Sequence, residues 1–126
     1  MQDNRDNHPL DLSYLTEMVG HDPQFMIEVF ETFIEQTPFY MAELEDALSK
    51  TDWKRVADCA HKIKPTFSYV GRTDVKEFVQ SIEHSAKKEA ELGTISERIA
   101  NLHLLVDKIY LQIEETITLL KKKHNL

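Results

Sequence analysis

Three glycines and four prolines in 126 residues leave little material for turns. That scarcity excludes a sandwich or barrel of many short strands and favours a few long helices. A single cysteine, Cys59, excludes an internal disulfide. It lies among apolar residues and reads as a small member of the core. No apolar run approaches the roughly 20 residues needed to span a bilayer. The segment Met1-Gln2-Asp3-Asn4-Arg5-Asp6-Asn7-His8 has no apolar stretch, so no signal peptide is expected and the location is read as cytoplasmic. Cations are in the minority, 15 Lys and Arg against 22 Asp and Glu, and the net charge of −7 disfavours nucleic-acid binding. What is present is enough for one soluble domain with a core: 41% hydrophobic and 29% charged residues.

The apolar positions fall into helical periods. Asp11 caps a short helix over Leu12 to Val19, stopped by Gly20. Asp22-Pro23 supplies a cap followed by proline at the first helical position, with Met26, Val29, Phe30, Phe33 and Ile34 inward. Thr37-Pro38 interrupts that pattern as a kink or as the start of a second helix through Met41, Leu44 and Leu48. Asp52 opens the next helix, which Gly71 ends. Thr73 opens another, with Val75, Phe78, Val79, Ile82 and Ala86 on one side. Thr94 and Glu97 have capping-box spacing before a long helix, apolar at Ile95, Ile99, Leu102, Val106, Ile109, Ile113, Ile117 and Leu120. The expected fold is all-α, an up-down antiparallel four-helix bundle with a short additional N-terminal helix. Residues 1–9 are expected as a flexible N-terminus, residues 10–123 as the bundle domain, and Lys121-Lys122-Lys123-His124 as a frayed end.

The stretch Ala60-His61-Lys62-Ile63-Lys64-Pro65-Thr66-Phe67-Ser68-Tyr69-Val70-Gly71 carries the chemistry. Val56, Cys59, Ala60, Ile63, Phe67 and Val70 cluster within about 60° of one direction at 3.6 residues per turn, and His61 points about 140° away. It shares an outer strip with Asp58, Pro65 and Ser68. An imidazole on a water-facing strip with lysines nearby suits the carriage of a phosphoryl group. The surrounding segment, Trp53 to Lys76, holds six cations and two anions for a net of +4, while the remainder nets −11. A basic island on an acidic chain favours an anionic partner or a bound phosphoryl group.

A histidine, a lysine three residues on, a stretch of small residues and a glycine at ten resemble the signature of histidine-containing phosphotransfer (HPt) domains. His61, Lys64 and Gly71 match it residue by residue, and Thr66 stands where the family has a small hydroxylated or apolar residue. Pro65 departs from the pattern, which has glycine after the lysine. The resemblance implies a phosphocarrier: His61 takes a phosphoryl group from a receiver-domain aspartyl phosphate and passes it to another receiver. The partners implied are receiver domains of response regulators and hybrid histidine kinases. The receiver brings the metal ion, so no cofactor and no metal site are expected here.

Counting from the turns puts Thr37 to Met41 on one side of His61 and Gln80, Glu83 and His84 on the other. Glu83 is the candidate to accept the Nδ1 proton and leave Nε2 facing out. Lys64 is expected to neutralise the phosphoryl oxygens as a mobile cation, with Lys62 as a weaker helper. Thr66 offers a hydroxyl near the site and Ser68 a contact to the partner. Pro65 and Gly71 mark a place of close approach and the helix end, and Phe39, Tyr40 and Tyr69 supply an apolar partner surface. Two other readings remain: a scaffold of the same fold that never carries phosphate, and a metal-binding bundle. The pair Asp58 and His61 faces outward, and the other five histidines show no ligand spacing. No phosphate-cradling glycine loop is present, so neither kinase nor hydrolase activity is expected. The charged outer faces favour a monomer.

Overall fold

The structure, a computed structural model, describes residues 9–126. Residues 1–8, most of the expected flexible N-terminus, lie outside the described residues. Five helices follow in order: α1 Ser13–Val19, α2 Pro23–Ser49, α3 Trp53–Tyr69, α4 Thr73–Lys88 and α5 Leu92–His124. The described residues contain no strand. Helix α2 packs against α3 and α5, α4 packs against α3 and α5, and α1 rests on α2 and α3. None of these helices is long and apolar enough to cross a membrane.

Helix starts follow the expected chemistry at two places and shift at a third. The cap position of α1 is Leu12, which makes no side-chain cap bond, and Asp11 just before it accepts from Ser13 N at 3.0 Å through Oδ1. Asp22 Oδ1 accepts from Gln24 N and Phe25 N, with Pro23 at the first turn of α2. Asp52 Oδ1 accepts from Arg55 N at 3.2 Å and starts α3. Each bond satisfies backbone donors that a helix N-terminus leaves without internal partners.

One expectation fails at the start of α5. The Thr94–Glu97 capping box does not form. Helix α5 begins a turn earlier, at Leu92, and the Thr94 hydroxyl donates to the Glu91 carbonyl at 2.8 Å. Leu92 packs against the core, and its burial outweighs the cap. At the basic end α5 continues through His124, with Leu126 N donating to Lys121 O. Its lysines lie in the last turn, where cations oppose the helix dipole favourably.

Helix α2 resolves its proline as a single element running through Pro38, which lies on the exposed side. Of its expected inward residues, Met26, Phe30 and Phe33 are buried, while Val29 and Ile34 are only partly covered. The core combines these with Leu15 of α1, Ile63 and Phe67 of α3, Ile82 of α4 and the inner face of α5 from Ile95 to Ile113. Phe33 sits between Phe67 and Tyr110, edge-on to both at 5.8 and 5.9 Å. Cys59 is buried, and burial pushes its thiol above the ordinary range, so it acts as an apolar core residue.

Candidate functional site

Helix α3 turns its apolar face onto α2 and α4 and leaves His61 on the outside. The His61 side chain is 71% exposed, and Ala60 and Ile63 beside it are buried. One turn further on α3, Lys64 reaches across to α4. The point of convergence is Glu83, 11% exposed, whose Oε2 lies 2.9 Å from His61 Nδ1 and whose Oε1 accepts from Lys64 Nζ at 2.8 Å.

Burial pushes the Glu83 carboxyl up, but the hydrogen bonds from Lys64 and His61 outweigh it and hold the group below the usual carboxylate range. Glu83 is therefore an anion at neutral pH. A carboxylate only accepts hydrogen bonds, so the proton between the two groups belongs to Nδ1. In the neutral ring the lone pair then resides on Nε2, the nitrogen turned to solvent. This pair of facts sets tautomer and ring orientation together.

Lys64 is not the mobile cation the sequence suggested. Its side chain is only 18% exposed, and its ammonium is held by Glu83. Lys62 turns the other way, towards α2, where it pairs with Glu43 at 3.5 Å and lies over the Tyr40 ring at 5.5 Å. The Thr66 hydroxyl donates back to the Ile63 carbonyl at 2.6 Å and is not turned towards His61. Ser68 is half-buried, and Pro65 is exposed on the same strip as His61. Gln80 and His84 are exposed on α4 and, with Lys64 and Glu83, border a shallow polar depression.

The basic island is weaker than the sequence count implied. Arg55 pairs with Asp46, Lys62 with Glu43, Lys64 with Glu83 and Arg72 with Asp74. Three of those carboxylates come from outside the segment, where a linear count credits them to the acidic remainder. Arg72 is also fully buried, so its charge does not reach the surface. Its guanidinium is forked onto Asp74 through Nε and Nη2, with Nη1 donating to Gln112 of α5. The spacing Arg72-Thr73-Asp74 at a helix start is the signal that announces this fork.

Further along α3 from His61 lies an apolar groove of about 410 Å³ between α1, α2 and the end of α3. Tyr40 and Tyr69 line it, as do Val29, read from the sequence as a core residue, and Met18 and Phe25, which sequence reasoning did not single out. Phe39 is 74% exposed and does not line it. Tyr14 stacks on Tyr69 at 6.0 Å and adds a further exposed ring to the rim. The available signal was α1 itself: Tyr14 and Met18 repeat at four residues on one flank of its buried Leu15. Gly71 ends α3 with φ +79° and packs against the leader: its carbonyl accepts from Asp11 N at 2.9 Å.

No curated protein and no solved structure matches the chain. The family model for the Hpt domain matches residues 28–121, a span that holds His61, Lys64, Glu83 and all of α3 and α4, and the chain belongs to that family.

Proposed function

We propose that this protein is a phosphorelay carrier in which His61 receives a phosphoryl group from one receiver domain and delivers it to another. Hpt domains carry phosphoryl groups and are not catalytic enzymes in their own right. The observation that carries the reading is the exposed imidazole whose Nδ1 is held by a buried, ionised Glu83. The packing of α2 to α5 supports an up-down four-helix bundle with α1 as an added cover. A cytoplasmic setting accords with that role.

The transfer needs little beyond placement. The Nε2 lone pair attacks the phosphorus of a receiver's aspartyl phosphate. The bond from phosphorus to the aspartyl oxygen breaks, and its electron pair leaves with the carboxylate. The phosphoryl group is then on Nε2, and the ring, which keeps its Nδ1 proton, becomes cationic. Glu83 faces that developing charge at hydrogen-bond distance. Such fixed electrostatics, with positioning, account for most phosphoryl-transfer catalysis. Lys64 holds the second oxygen of Glu83 and so aims the first at the ring. Delivery to the next receiver runs the same steps in reverse. The groove of Met18, Phe25, Tyr40 and Tyr69 lies one to two turns along α3 from His61 and suits apolar side chains of a docked receiver.

The test is transfer from a panel of phosphorylated receivers. Wild-type protein takes up an acid-labile, alkali-stable label, and His61→Gln takes up none. Label on His61→Gln, with His84 as the next site to map, overturns the assignment.

A further inference from the structure

Helix α5 carries a second apolar stripe on its outer side. Leu104, Leu111 and Leu119 are 62%, 61% and 65% exposed. At 3.6 residues per turn they fall within roughly 80° of one another, on the side opposite the buried Ile99, Leu102, Ile109 and Ile113. With Lys108 and Glu115 between them, the three leucines at seven- and eight-residue steps form a mixed seam whose pattern Leu-Lys-Leu-Glu-Leu is complementary to itself when reversed. We infer that α5 pairs with α5 of a second copy, antiparallel, about a two-fold axis near Leu111 and Gln112.

The charges between the leucines select the occupant and its direction. Lys108 lies between Leu104 and Leu111, and Glu115 between Leu111 and Leu119, both within the width of the seam. With the axis at Leu111–Gln112, residues whose numbers sum to about 223 face each other. Leu104 then meets the second copy's Leu119, and Lys108 meets its Glu115, each pair occurring twice by symmetry. A parallel pairing sets Lys108 against Lys108 and Glu115 against Glu115. Asp107 and Glu114 stand on one edge of the seam and approach their symmetry mates across the axis, which holds the affinity low. The interface is at the lower end of the stable range, roughly 1,200 Å² or less in total, so the dimer forms at high micromolar to millimolar concentration.

The geometry leaves function intact. Helix α3 packs with α2 and α4, and α5 occupies the opposite corner of that arrangement. The two His61 side chains and their apolar grooves face away from the seam. The inference concerns a surface that transfer does not use, and it stands or falls separately from the carrier reading.

Sedimentation equilibrium over a concentration series decides it. The wild-type mass should rise from 14.7 kDa towards twice that value. Leu111→Glu, folded by circular dichroism, should stay monomeric. Lys108→Glu alone and Glu115→Lys alone should each weaken association roughly ten-fold or more. The double variant K108E/E115K should recover it, and so should an equimolar mixture of the two single variants. A wild type that stays at 14.7 kDa up to millimolar concentration overturns the inference. So does a dimer indifferent to Leu111→Glu, or one that the double reversal fails to restore.

Discussion

At the scale of single residues, Glu83 makes the site more than an exposed histidine. It is buried on α4, ionised, and bonded to both functional side chains of α3. Replacing it with Gln keeps an acceptor for Nδ1 but leaves Lys64 without its counter-charge and the phosphorylated ring without a neighbouring anion. Charge-assisted hydrogen bonds contribute about 1.5–3 kcal/mol each. Transfer by Glu83→Gln should therefore slow about ten-fold, since about 1.4 kcal/mol corresponds to that factor, and Glu83→Ala should slow it more. The same residue gives a pH signature. Its folded-state pKa lies below the ordinary 4.5, so the unfolded chain binds the proton more readily. The stability contributed by the Glu83 pair is complete above 4.5 and is lost as pH falls through the lower folded value. Glu83→Gln should remove that part of the acid destabilisation in melts taken below pH 5. Transfer rates equal to wild type in both variants would reduce Glu83 to a surface contact of α4.

At the scale of elements, α3 was the most legible part of the chain, because its apolar residues repeat without a break from Val56 to Val70 and fix which side His61 must take. Counting residues from the turns also brought Glu83 to His61, since α3 and α4 are joined by a tight corner and neither is interrupted. What the sequence hid was direction at the side-chain level: Lys64, Lys62 and Thr66 each chose a partner on a neighbouring helix or in their own backbone, and spacing alone does not rank those choices. The start of α5 was misread because Leu92 gains more from the core than Thr94 does from capping. Pro65 is the departure that matters within α3. It has no N–H to give the His61 carbonyl, and α3 nevertheless runs through it. Pro65→Ala restores that donor, worth about 0.5–1.5 kcal/mol, and frees the unfolded chain, which costs about 0.4–1 kcal/mol. Stability should stay level or rise slightly, while transfer changes more, because the backbone turn that sets His61 against Lys64 is re-formed. Melts and transfer rates on one variant check both halves. A marked loss of stability with normal transfer would mean that Pro65 serves packing and not the site.

At the scale of the whole molecule, the leader before α1 and the corner between α3 and α4 are one joint. Gly71 adopts φ +79° at that corner, a conformation that glycine enters without penalty and side-chain-bearing residues do not. The leader lies so close that a Cβ at position 71 would collide with the Asp11 backbone. Asp11 N donates to the Gly71 carbonyl, and just beyond it Leu15 is fully buried. Arg72, the next residue, is sealed beneath and fixed to Asp74 and Gln112, so the corner also joins the start of α4 to α5. The glycine that looked like part of a transfer motif is thus explained by the fold: it lets the N-terminal segment close over α2 and α3. Gly71→Ala must strain the backbone and push the leader away. Strain of this kind costs about 1–3 kcal/mol, and loss of the Asp11 bond and part of the Leu15 burial adds to it. For a domain of this size, about 2 kcal/mol lowers Tm by roughly 6–10 °C. The His61–Glu83–Lys64 cluster lies two to three turns back along α3 from Gly71 and does not involve the leader, so His61 should still take up label at a temperature well below the melt, with any slowing traced to the groove that α1 helps to line. An unchanged Tm would show that the leader is not clamped at this corner. Lost transfer in a fully folded Gly71→Ala protein would return the glycine to the functional surface.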